Sequence, residues 1–200
     1  MRPHLSPRHA LIAALATAVL ATGATAAVAA PAGPAGPARA HGTLRPLVEL
    51  AAQRVLVADE VAAAKWATDS PIDDPARERE VLDAVARQAE ELGADPAATT
   101  RIFRDQIEAS KVVQRGLYHR WDADPSQAPT ERPDLGRIRL EINRINGELV
   151  RAIADSAAVR EGPSCVGRLT AGTVAVVHGR HLDVLHTVAL GRSLPSVCER

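Results

Sequence analysis

Two cations on one apolar stretch pose the first chemical question. Arg54 and Lys65 stand 11 residues apart in RVLVADEVAAAKW. In an α-helix, at about 100° per residue, they lie within about 20° of one another, about three turns apart. The only other charges nearby, Asp59 and Glu60, fall on another side. A lone Arg or Lys in a helical protein ordinarily faces solvent; two on a face that is otherwise apolar suit an anionic ligand. Further along, PIDDPAREREVL sets Asp74, Arg77 and Glu78 at the start of a helix. Acids there also answer the positive end of the helix dipole, and the charges can pair along the helix. Ser110 and Gln114, four apart in DQIEASKVVQ, share a face, and Arg139 adds a cation from a later segment.

These residues need helices to hold them. From Thr43 onward Ala, Leu, Glu and Arg dominate, apolar residues recur at three and four, and no stretch alternates with period two. The pattern predicts an all-α fold, a bundle of about six helices. The first helix runs from about Pro46 to Trp66. Asp74-Pro75, a cap followed by Pro at the first helical position, opens the second, which ends near Leu92 and Gly93. Asp95-Pro96 repeats that punctuation before a helix over about Ala97 to Trp121. A Pro-rich link, Asp122 to Asp134, leads to a long return helix from Leu135 to about Val159. After EGPSC come two shorter helices, Val166 to His178 and His181 to Arg192.

Composition narrows the function. The 200 residues carry 24 basic and 24 acidic side chains, 46% apolar residues and only four aromatics: Trp66, Phe103, Tyr118 and Trp121. There is enough apolar material for a core, no basic excess for nucleic acid and little to stack on bases. The balance is uneven: residues 1–40 hold Arg2, Arg8 and Arg39 and no acid, leaving 21 basic against 24 acidic residues.

Met1 to His9 is short and basic, Ala10 to Ala30 is apolar, and small residues fill its end, the layout of a secretory signal peptide. Cleavage sites compete after Ala26, Ala29, Ala30 and Ala40; a retained anchor is the alternative reading of the 21-residue run. The expected organisation is a signal peptide over 1–30, with cleavage as late as 40, a Pro/Gly/Ala spacer over 31–42, and one domain over 43–200. Export would place the protein in the periplasm or outside the cell, with no membrane attachment after cleavage. In an oxidising compartment Cys165 and Cys198, the only cysteines, suit a disulfide better than metal ligation, and no metal site is expected. Closing that loop is worth roughly 3–4 kcal/mol in the chain-entropy model.

The ordered set of spacings, Arg54-x10-Lys65, PIDDPARERE with Arg77, and IFRDQIEASKVVQ with Ser110 and Gln114, resembles the all-helical AroQ class of chorismate mutases. The link PSQAPTERPDL, Arg139, GPSC at Cys165 and RHLDVLH before Cys198 resemble its secreted gamma subclass. The resemblance implies an isomerase of the shikimate pathway, on the branch to phenylalanine and tyrosine. Its reaction, the Claisen rearrangement of chorismate to prephenate, needs no cofactor. The resemblance further implies that Arg54 and Arg139 bind the substrate carboxylates, that Lys65 serves a carboxylate and the ether oxygen, and that Gln114 donates to that oxygen. Arg77 and Ser110 would contact the carboxylate end, Glu78 would receive the ring hydroxyl, and Asp74 would border the site. A homodimer is implied, since related proteins are usually dimers and the first helix is long enough to pair; each subunit should hold a complete site, because Arg139 replaces the cation that a second subunit supplies in short intracellular members. Secreted members often carry Glu and Thr where this chain has Gln114 and Ser110, and some carry Gln where it has Val81. Two other readings fit a cationic helical pocket: an isochorismate-pyruvate lyase-like pericyclic enzyme, and a non-catalytic exported helical binding protein.

Overall fold

The computed structural model describes residues 43–68 and 70–198. The expected signal peptide and spacer therefore lie outside the described residues. Among the described residues there is no strand, and no helix is long and apolar enough to cross a membrane.

Local chemistry sets most helix starts. α1 (Arg45–Lys65) has Pro46 in its first turn. In α2 (Pro75–Glu91) the Asp74 side chain accepts from Arg77 N at 3.0 Å. In α3 (Pro96–Ala123) Asp95 accepts from Ala97 N at 2.8 Å. In α4 (Leu135–Asp155) Asp134 accepts from Gly136 N and Arg137 N. Each such cap satisfies a donor the helix leaves unpaired and is worth about 1 kcal/mol. Gly93, at φ +68°, ends α2 in the left-handed conformation that glycine adopts without strain.

α1 runs through the middle of the bundle. Leu47, Val48, Ala51, Ala52, Val55, Ala58 and Ala62 are all buried, and the alanines let α3, α4, the helix Cys165–Gly179 and the helix Val184–Arg192 approach closely. Such a helix has no wide polar face, so its few charges stand out. One core joins Leu47, Val48 and Ala51 to Ile102, Phe103, Leu149 and Ile153. A second gathers Val55, Ala58, Ala62, Val113 and Leu117 toward Trp121. There Trp66 meets Tyr118 and Trp121 edge-on, with ring centroids 4.9 and 5.2 Å away. This aromatic knot anchors the residue next to Lys65. Gly116 on α3 lets Leu185 come close: a Cβ there would lie 2.6 Å from Leu185 Cδ1.

The return helix is shorter than expected. α4 stops at Asp155, where the Ser156 hydroxyl donates back to Ala152 O at 2.6 Å, and α5 (Ala157–Arg160) adds one more turn. A hydroxyl bonding back to the preceding turn competes with the helix ladder and bends it. This extra turn makes seven α-helices among the described residues where about six were expected. Arg160 then donates to Val197 O at 3.1 Å and ties down the C-terminal end. α6 (Cys165–Gly179) and α7 (Val184–Arg192) follow. α7 starts later than expected because Asp183 caps it and His181 sits at φ +52° in the turn before it. Cys165 and Cys198 form the expected disulfide, with Cα atoms 5.8 Å apart.

Candidate active site

A cleft of about 190 Å³ opens between α1, α2, α3, α4 and the link that precedes α2. All eight candidate residues line it: Arg54 and Lys65 from α1, Asp74 from the link, Arg77 and Glu78 from α2, Ser110 and Gln114 from α3, and Arg139 from α4. The apolar part of the wall comes from Val61, Ile72, Val81, Ile107, Leu135 and Ile142. The roughly 20° separation of Arg54 and Lys65 on α1 aims both side chains the same way, and the caps Asp74 and Asp134 begin α2 and α4 beside them.

Arg54 is deeply placed, only 7% exposed. Nη1 donates to Asn146 Oδ1, and the guanidinium carbon lies 5.7 Å from the centre of the Phe103 ring. Among the described residues its Nε has no partner and no carboxylate pairs with it. Burial pushes its pKa down to about 10, so it stays charged at neutral pH. A buried, unpaired cation is costly to keep. An anion in the cleft would relieve that cost.

Lys65 donates from Nζ to Pro71 O at 2.8 Å, which folds the link back over the end of α1. Burial lowers its pKa and Arg139 lowers it further, while Asp74, Asp73 and Glu78 oppose the shift. Arg139 is exposed at the rim and makes no ion pair among the described residues. Arg77 differs, since Nη1 already pairs with Glu80 at 2.8 Å along the same helix.

Gln114 is 4% exposed. Its Nε2 donates to Ser110 Oγ at 3.2 Å and to Ser110 O at 3.3 Å, while its buried Oε1 has no partner. Glu78 is held by Lys111, Nζ to Oε1 2.9 Å. Five cations and two carboxylates line the wall; with Lys111 and Arg77 paired to acids, Arg54, Lys65 and Arg139 are left without a carboxylate among the described residues, which suits a ligand carrying more than one negative charge.

Lys111 and Asn146 escaped the sequence reading. Lys111 is one residue past Ser110, so helical spacing alone turns it away from the Ser110 face. Its signal was the acid-rich opening DDPARE, which needed a cation from another helix. Asn146 lies 92 residues from the Arg54 it supports, and no local pattern links them.

Comparison with known proteins agrees with this geometry. Residues 45–115 match the family described as chorismate mutase type II. The chain is 37% identical over 164 residues to a secreted chorismate mutase of Mycobacterium tuberculosis (strain ATCC 25618 / H37Rv), covering 81% of this chain and 82% of that protein. It is 37% identical over 155 residues to a secreted chorismate mutase of Mycolicibacterium smegmatis (strain ATCC 700084 / mc(2)155), covering 78% and 86%. The crystal structure of chorismate mutase from Burkholderia thailandensis superposes with a TM-score of 0.74 at 37% identity, covering 78% of this chain and 98% of that one. An all-helical bundle whose cationic cleft is built by four helices, matched over most of its length by such relatives, belongs to the chorismate mutase type II family.

Proposed function

We propose that this protein catalyses the Claisen rearrangement of chorismate to prephenate as an exported enzyme. The observation that carries the reading is the convergence of Arg54, Lys65 and Arg139, none paired with a carboxylate among the described residues, on one cleft that also holds Gln114.

The reaction is pericyclic: one C–O bond breaks as a C–C bond forms, within one molecule. The protein has to hold the dianionic substrate with its enolpyruvyl arm over the ring and meet the negative charge that develops on the ether oxygen. In this proposal Arg54 and Arg139 grip the two carboxylates. Lys65 bridges a carboxylate and the ether oxygen. Gln114 gives that oxygen its second hydrogen bond. Turning the Gln114 amide about its last bond lets the Ser110 hydroxyl donate to Oε1, which is otherwise unpartnered, and frees Nε2 for the substrate. Arg77 and Ser110 attend the carboxylate end, Asp74 borders the site, and Glu78 accepts from the ring hydroxyl. Val81 leaves an apolar wall beside Glu78, which suits the carbocycle.

All eight side chains lie in one chain, which supports a complete site in each subunit of the proposed homodimer. Export is supported by the basic, apolar, small-residue order of residues 1–30, by the disulfide and by the names of the secreted relatives. The test is chorismate consumption and prephenate formation by a chain starting near His41, with Lys65→Ala as the control. Conversion by the parent chain and loss in the variant are expected. Release of pyruvate from isochorismate with no prephenate from chorismate would instead indicate the lyase reaction, and no turnover of either would overturn the enzymatic reading.

A further inference from the structure

One cation of the cleft cannot serve the substrate as the others do. Lys111 is 7% exposed, and its Nζ lies 2.8 Å from Glu108 Oε1, 2.9 Å from Glu78 Oε1 and 3.2 Å from Asp73 Oδ1. An ammonium has three N–H donors, and all three are engaged by carboxylates. Unlike Arg54, it has none left for an incoming anion. The three carboxylates come from separate places: Asp73 from the link, Glu78 from the first turn of α2, and Glu108 from α3 itself. Arg115, one turn further along α3, also holds Asp73, with Nη2 at 2.7 and 2.8 Å from its two oxygens. α3 therefore fastens the start of α2 at two points, and of the two cations only Lys111 touches Glu78.

Burial acts against the charge on Lys111, but Glu108, Glu78 and Asp73 together outweigh it and raise its pKa. Without that ammonium, three carboxylates would share one small space, and repulsion would drive Glu78 away from its present position or neutralise it.

We infer that Lys111 is a positioning residue: it fixes the Glu78 carboxylate in place as the acceptor of the substrate's ring hydroxyl and secures the start of α2 beside the cleft. This rests on the role of Glu78 proposed above.

The test is a double-mutant cycle read in KM and kcat separately. A hydroxyl contact made equally to substrate and transition state acts on KM. Glu78→Gln and Lys111→Met should each raise KM about tenfold, the size of one hydrogen bond to a charged group, and leave kcat within about threefold. If Lys111 works through Glu78, the double variant should be no worse than Glu78→Gln alone. Arg115→Ala loosens the same link without touching Glu78, and should lower Tm while leaving KM within about twofold. Because Lys111→Met strands three carboxylates, it is also made together with Asp73→Asn and Glu108→Gln, which leaves only Glu78 to be misplaced. Multiplying effects in the double variant, or a rise in KM for Arg115→Ala equal to that for Lys111→Met, would overturn the positioning role and leave the Glu78 contact standing. A parental KM in Glu78→Gln would remove both, while Lys65→Ala would still report on the reaction itself.

Discussion

Replacing Gln114 by Glu probes the ether-oxygen contact with a change of one functional group. The side chain is 4% exposed, and its amide nitrogen now donates to Ser110 O and Ser110 Oγ. An ionised carboxylate there has no proton to donate and opposes the charge that grows on the ether oxygen. Losing one preorganised donor to a developing oxyanion costs about 2.7–4 kcal/mol, or roughly 10²–10³ in kcat. Burial raises the pKa of the new carboxyl and the cleft cations lower it, so protonation falls within the mildly acidic range. Once protonated, the carboxyl can donate as the amide did. Steady-state kcat/KM at constant ionic strength should therefore be at least about 100-fold down near neutrality and rise about tenfold per pH unit on acidification until the group is protonated. The parent chain, whose amide does not titrate, should stay nearly level over about pH 5–8. Equal activity of the variant at every pH would refute the contact, and a steep acid rise in the parent would refute the reasoning about its amide.

Arg54→Ala and Lys65→Ala should each cost about 3–5 kcal/mol of transition-state stabilisation, measured as kcat/KM, and a loss below tenfold would remove either from the proposed machinery. His186, buried between α7 and α1, bridges Asp183 at 2.7 Å through Nδ1 and Asp59 at 2.9 Å through Nε2. Burial alone would lower its pKa, but the two carboxylates outweigh it and raise the value. Its contribution to stability should be complete below the unfolded value of about 6.5 and fade as pH rises through the folded one. Urea unfolding at several pH values should show that decline in the parent and not in His186→Gln; a parallel dependence would refute it. Replacing both Cys165 and Cys198 by Ser should cost roughly 3–4 kcal/mol of stability. Since neither α6 nor α7 lines the cleft, kcat/KM of the folded variant should stay within about twofold of the parent, and a larger loss would show that the C-terminal strap supports the site.

Helix by helix, much of the architecture was legible because its causes are local. Asp74-Pro75, Asp95-Pro96 and Asp134 cap helices through bonds that span two or three residues, and those starts agree with the structure. The end of α4 was less legible. Nothing in RAIADSAAV marks Ser156 as a break until its hydroxyl bonds back to the preceding turn. The opening of α2 shows the same divide. Its charges could be read as pairs along one helix, and Arg77 does pair with Glu80. Glu78, one residue on from Arg77, pairs with α3 instead. Asp59, correctly placed on a side of α1 away from Arg54, proves to face His186, 127 residues later.

The sequence by itself determined the helices, the cysteine pair and a set of polar residues whose order matched a known family, because periodicity, capping and spacing are properties of short stretches. Only the tertiary structure decided which cations remain unpaired. Arg54 and Lys111 are equally charged and equally buried, yet Lys111 is enclosed by three carboxylates from three segments, whereas Arg54 meets an amide, an aromatic face and an open cleft. That difference rests on distances between helices of a few ångströms. Coulombic pairing depends steeply on those distances, and the period of a single helix contains no information about them.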